Sequence, residues 1–124
     1  MLGDNNAVAT VAVRDLAKAK KFYGDVLGLK ALPSTEKEVA NYQAGKTALL
    51  VYSSQFAGTN QATAVTWNVD DVEAIARTLK GKGVVFEHYD MPGMTIKGDV
   101  HVAGKMKAAW FKDPDGNIHA IVSA

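Results

Sequence analysis

Apolar and polar positions along the chain trace one pattern, and they trace it twice. Val8-Ala9-Thr10-Val11-Ala12-Val13 is strand-like. Asp15 then precedes Leu16, Ala19, Phe22, Tyr23, Val26 and Leu27, which fall near a 3.6-residue period, and Gly28 follows as a stop. This spacing predicts a strand feeding a capped amphipathic helix over Leu16 to Leu27. The second copy reads Ala64-Val65-Thr66-Trp67-Asn68-Val69, then Asp70 or Asp71 as cap, then Val72, Ile75, Ala76 and Leu79, with Gly81 and Gly83 ending a helix from Val72 to Lys82. Asp15, Leu16 and Tyr23 recur as Asp71, Val72 and Leu79, each 56 positions on. A repeat at half the chain length predicts two copies of one supersecondary unit.

Short apolar segments follow each helix. Lys30 to Leu32, Val39 to Gln43 and Thr47 to Tyr52 read as strands in the first copy. Val84 to His88, Lys105 to Lys112 and Ile118 to Ser123 do so in the second. The expected fold class is α+β: two βαβββ modules, one at about 7–54 and one at about 63–123, in a single domain over 1–124. The small and polar stretch Gln55 to Ala62 is the expected linker. Between His88 and the strand at Lys105 lies what reads as a long loop, around His88-Tyr89-Asp90-Met91-Pro92-Gly93-Met94. Ordered loops of that length often bind ligands.

Composition narrows the function. Fourteen Lys plus Arg against thirteen Asp plus Glu leave a net charge of +1, too weak a field to attract nucleic acid or an anionic membrane. The chain contains no cysteine, which removes disulfides, thiolate nucleophiles and Cys-ligated zinc together. No apolar run approaches the roughly 20 residues that span a bilayer, and Met1-Leu2-Gly3-Asp4-Asn5-Asn6 lacks the features of a signal peptide. A cytoplasmic protein is expected.

Asp113-Pro114-Asp115-Gly116-Asn117, before the last strand, suits a tight hairpin: Pro114 presets a turn dihedral and Gly116 permits a positive φ. With that motif and Phe22-Tyr23-Gly24-Asp25-Val26-Leu27-Gly28-Leu29 closing the first helix, the repeat resembles the vicinal-oxygen-chelate superfamily. This is the glyoxalase, bleomycin-resistance and extradiol-dioxygenase group, and the resemblance covers nearly the whole chain. It implies strands curled into a cupped mixed sheet, helices outside, and a cup that serves as the site. It also implies a homodimer, since such proteins commonly complete their cups across a twofold interface.

Metal-dependent members of that superfamily place ligands, mostly His and Glu, early in the first strand and on the last strand of each module. The matching positions here are Val8, Ala64, Leu49 or Leu50, and Ala120. All are aliphatic and offer no nitrogen or oxygen donor, so neither a metal nor another cofactor is expected. Alternation then assigns the cup-facing set as Val8, Thr10 and Ala12; Ala64, Thr66 and Asn68; Ile118, Ala120 and Val122; and, if Leu50 is the slot, Leu50 and Tyr52. Met91 joins it from the loop. Trp110 and Phe111 point to opposite faces, so one of them reaches the cup; parity does not say which, and Trp110 is carried in the candidate set. Apolar walls with sparse hydroxyl and amide groups are the makeup of a small-molecule pocket. The expected function is metal-free binding of a drug or metabolite, with no catalytic residue assigned. The alternative is a lyase, isomerase or dioxygenase-like enzyme that uses His88, Tyr89, Asp90, His101 or Tyr52 as acid or base, or a non-standard metal site at His88 and His101. His119 and Trp67 lie on the opposite parity: Trp67 is expected to face the helix layer, and His119 the helix layer or a partner chain.

Overall fold

The computed structural model describes residues 1–124. Each half starts with a strand that runs into a helix capped by an aspartate. Asp15 Oδ1 accepts the backbone N–H of Lys18 at 3.1 Å, and Asp71 Oδ1 accepts that of Ala74 at 3.0 Å. These are the same bond, 56 residues apart, and they settle the second cap on Asp71. The chain divides into two units, Met1–Asn60 with Pro114–Asn117, and Gln61–Asp113 with Ile118–Ala124.

The first unit comprises β1 (Ala9–Val13), α1 (Leu16–Lys20), a wide π-helical turn (Lys21–Val26), β2 (Lys30–Leu32), β3 (Val39–Ala44) and β4 (Thr47–Ser53). Its sheet runs β1-β4-β3-β2, with β1 parallel to β4 and the other pairs antiparallel. Val11, Val13, Leu49, Val51, Ala40 and Tyr42 are buried on one face, with Ala19 and Tyr23 from the helical side. Burying a Leu or Val side chain contributes about 1.5–3 kcal/mol over leaving it in water. The helix expected to run unbroken to Leu27 instead widens at Lys21, where Leu27 N–H reaches back five residues to Phe22 O at 2.9 Å. Gly24 within the turn eases departure from the α ladder. The widened turn carries Tyr23, fully buried, to 6.1 Å from the ring of Tyr42.

The second unit comprises β5 (Thr63–Asn68), α2 (Val72–Gly81), β6 (Phe86–Glu87), β7 (Thr95–Lys97), β8 (Val100–Ala103), β9 (Met106–Lys112) and β10 (Ile118–Ser123). Its sheet runs β5-β10-β9-β8-β7, and β6 also pairs with β9. Parallel β5–β10 beside antiparallel neighbours again makes the sheet mixed. Val65, Ala109, Phe111, His119 and Ile121 are buried on its helix side, with Val72, Ala76 and Leu79 of α2.

Two elements depart from expectation here. The stretch read as a long loop holds the β7–β8 hairpin, closed by Gly98-Asp99 between the paired Lys97 and Val100. Gly98 has φ +63°, as a two-residue hairpin turn with glycine first requires. The strand expected over Val84 to His88 shrinks to Phe86–Glu87, because β8 occupies the Met106–Ala108 part of that edge of β9 and leaves β6 only Trp110 and Phe111. No helix is long and apolar enough to cross a membrane.

The Asp113-to-Asn117 segment does more than turn the chain. Asn117 Nδ2 donates to the carbonyl of Ala12 at 2.7 Å, tying the segment to β1. Gly58, at φ +72°, lies against the carbonyl of Asp115 where a Cβ would collide.

Candidate functional site

Both sheets keep one face away from their helices, and on those faces the candidate positions line up by register. In the first unit Leu32, Asn41, Leu50 and Thr10 form one row across β2, β3, β4 and β1. Val39, Tyr52 and Ala12 form the next. Leu49 is buried on the helix side, so Leu50 is the β4 residue that shares a face with Thr10. Thr10 and Tyr52 are exposed. A cleft of about 350 Å³ opens over Leu50, Asn41 and Val39, walled by Pro33 and Glu36 from the loop after β2. A second depression beside β2 and β3 reaches Lys20, Asp25 and Tyr42. There burial, aided by the Asp25 charge, pushes the Tyr42 phenol above its usual range. Alternation had not singled out Asn41, because β3 was not registered against β4 by sequence.

In the second unit Thr66, Ala120, Trp110 and Glu87 form one row across β5, β10, β9 and β6. Asn68, Val122, Ala108, His101 and Ile96 form the next, across β5, β10, β9, β8 and β7. Trp110 thus shares the face of Ala120, and Phe111 is buried on the other. Thr66 and Asn68 are exposed, whereas Ala120 is 4% exposed between its two neighbours. Val8 and Ala64 both stand outside the ladders. Val8 precedes β1, and Ala64 is the extra residue where the β5–β10 register shifts between Ile118 and His119. Met91 is half-exposed in a turn closed by Met94 N–H to Met91 O, with Pro92 and then Gly93 at φ +78° as a type II turn demands.

An aromatic nook adjoins this face. β6 and β8 lie end to end along one edge of β9, and the chain leaving β6 carries His88 and Tyr89 over His101. The backbone N–H of Tyr89 donates to His101 Nε2 at 2.9 Å. The His101 ring stands edge-on to Trp110 at 4.8 Å, and Tyr89 stands edge-on to the same indole at 5.4 Å. His88 Nε2 is 2.8 Å from Asp99 Oδ1, and Lys80 Nζ lies 3.2 Å from Asp99 Oδ2. The His88 bond first, then Lys80, hold the Asp99 carboxyl below its usual range against its partial burial. Burial, then the Glu87 charge, push the Tyr89 phenol up. Two buried polar atoms have no hydrogen-bond partner, and both are in this nook: Tyr89 Oη and His101 Nδ1. Leaving such a group unpaired costs about 1–3 kcal/mol.

The donor set does not suit the superfamily's metals. Val8, Leu50, Ala64 and Ala120 carry no ligating atom, and no three His, Cys, Asp or Glu side chains converge where they could hold an ion. Of His88, Asp90, Asp99 and His101, which the sequence places near one another, His88 approaches His101 with ring centroids 6.2 Å apart and is bonded to Asp99, but His101 Nε2 is taken by the Tyr89 N–H and Asp90 is exposed, so the four do not converge on one ion position. His119 sits on the helix face, fully buried, where Trp67 Nε1 donates to its Nδ1 at 3.0 Å and Phe111 stacks on it at 5.0 Å. Burial lowers its pKa from 6.5 to about 4.

Comparison with known proteins agrees with this architecture. Solved structures that share the fold include the following three. A glyoxalase/bleomycin resistance protein from Streptomyces sp. CB03234 is 24% identical, aligned over 94% of this chain and 98% of that one, with a TM-score of 0.66. A lactoylglutathione lyase from Agrobacterium tumefaciens is 16% identical over 97% and 93%, with a TM-score of 0.71. The genomically encoded fosfomycin resistance protein from Listeria monocytogenes is 14% identical over 97% and 93%, with a TM-score of 0.73. Residues 6–121 match the family profile of the Glyoxalase/Bleomycin resistance protein/Dioxygenase superfamily, and the chain belongs to that superfamily.

Proposed function

We propose that this protein binds a small molecule, a drug or a metabolite, on the open sheet faces and sequesters it without a resident metal, as a cytoplasmic homodimer. One observation carries the reading: the positions where metal-dependent relatives would need donors, Val8, Leu50, Ala64 and Ala120, are aliphatic, and Leu50 and Ala120 among them share faces with Thr10, Tyr52, Thr66, Asn68 and Trp110. Apolar walls supply affinity, and a few hydroxyl, amide and indole groups fix orientation. The resistance proteins among its structural relatives support a drug as the cargo class. Native mass spectrometry of protein purified from its host tests this directly. A co-purifying small molecule with no stoichiometric transition metal supports it; a tightly held zinc, nickel, manganese or iron ion overturns it. Light scattering should give about twice the 13.2 kDa chain mass, and a monomer removes the dimer.

A second reading has one observation in its favour. Asp99 holds His88 through Nε2, the arrangement by which a carboxylate orients a general base, and the His88 side chain is half-exposed. An enzyme of lyase, isomerase or dioxygenase-like type would lose turnover by about 100-fold or more in His88→Ala. A binder would lose affinity in small steps.

A further inference from the structure

We propose that Tyr89 Oη and His101 Nδ1 are a ligand anchor, and that it takes a flat aromatic molecule through an acceptor oxygen on that molecule, a carboxylate or carbonyl. This rests on the binding function proposed above and names the class of cargo.

The chemistry follows from one hydrogen bond. A backbone N–H can only donate, so His101 Nε2, which receives the Tyr89 N–H at 2.9 Å, carries a lone pair. The ring proton is therefore on Nδ1, which is a donor without an acceptor. Tyr89, its phenol kept protonated by burial and by Glu87, adds a second donor, a hydroxyl that no protein group engages. Two unsatisfied donors on neighbouring rings, with centroids 6.3 Å apart, select an oxygen acceptor and disfavour a cation. The rings themselves select an aromatic body. Tyr89 and His101 each stand edge-on to Trp110, and His88 stands edge-on to His101; aromatic guests prefer offset or edge-to-face placement among such rings.

The segment over the nook is not held by a strand ladder. Ladder pairing stops at Glu87 and resumes at Thr95, so the segment bearing Tyr89 lies between strands rather than in one. Trp110 is half-buried and pairs directly with Ala120 of β10, which sets the anchor beside the candidate face rather than in the helix-side core.

A probe series tests the proposal. In protein carrying Trp67→Phe, so that Trp110 is the only indole, binding is read by fluorescence with 2-naphthoate, cyclohexanecarboxylate and 2-naphthylmethylamine. The expected order places 2-naphthoate first by about tenfold or more over either other probe. Tyr89→Phe and His101→Phe should each weaken 2-naphthoate by about tenfold, and the imidazole nitrogen spectrum should show His101 as the Nδ1–H tautomer that shifts on binding. Equal binding of all three probes, no binding of any, or affinity unchanged in both variants overturns the anchor. A fall in melting temperature in Tyr89→Phe with binding unchanged assigns the two donors to a resident water and also overturns it. The broader binding function fails separately, through the native mass spectrum, which needs none of these probes.

Discussion

His119 and His101 lie in the same sheet, both with none of their surface exposed, and they differ in which face they occupy. His119 is on the helix face, with Trp67 donating to Nδ1 and Phe111 stacked on its ring. His101 is on the open face, with one nitrogen engaged by a backbone amide and the other unpaired. Burial alone therefore does not mark a histidine as structural. What separates the two is whether the surroundings complete its hydrogen bonds. A core residue is chosen with its partners in place, whereas an incomplete one must gain its partner from outside or carry the cost.

The largest effect should come from removing the satisfied ring. His119→Ala takes away the Phe111 stack, opens a cavity among Val65, Ile121 and Phe111, and strands the Trp67 N–H. Together these predict a loss of about 3–5 kcal/mol, measured by denaturant unfolding. A loss under about 1 kcal/mol would erase the contrast between the two faces.

Acid should act through the same residue. The native His119 pKa is about 4 against 6.5 unperturbed, so the unfolded chain takes up its proton at higher pH than the native one. Its contribution is complete above pH 6.5 and is lost as pH falls from 6.5 toward 4, by roughly 3 kcal/mol in total. Asp99 and Glu73, both held below the usual carboxylate range, lose their contributions at lower pH still. Unfolding free energies at pH 7, 5.5 and 4.5 should decline in the parent protein and much less in His119→Phe.

Next in size are insertions on the open face. Ala120, packed between Thr66 and Trp110, cannot take an indole without displacing them, so Ala120→Trp should cost about 1–3 kcal/mol. Ala64, exposed at the bulge, should tolerate Trp within about 0.5 kcal/mol while ligand uptake is blocked. Expectation from the aliphatic slot alone treated the two alanines as equivalent; the strand register separates them.

Much of this architecture was legible because it depends on local periodicity. Asp15 and Asp71 cap their helices 56 residues apart, Lys30–Leu32 and Ile118–Ser123 are strands with the bounds their pattern gave, and parity placed Trp67 on the helix face and took His119 off the open one. The π-helical turn was not legible, because it is set by where Tyr23 must reach rather than by spacing. The β7–β8 hairpin did carry a signal, Gly98-Asp99, but polar residues on its strands hid the alternation. The aromatic nook could not be read from either side alone. It exists because two short strands share one edge of β9, a long-range pairing that brings Tyr89 to His101 and both to Trp110. Asn41 entered its row for the same reason.

The smallest effect should be the most informative. His101→Phe keeps the ring and its edge contact with Trp110, so packing changes little. It removes the unpaired Nδ1–H, and in the same step it leaves the Tyr89 N–H without its acceptor. One unsatisfied donor is exchanged for another, and the net change in stability should lie within about 0.5–1 kcal/mol of zero. His119→Phe gains nothing in exchange for stranding the Trp67 indole N–H, and it should be destabilised by about 1–3 kcal/mol. Both measurements belong in the same denaturant series at pH 7, where His119 is neutral. Equal losses in the two phenylalanine variants would mean that His101 is as complete as His119, and the open face would then hold no unfilled donor for a ligand to meet.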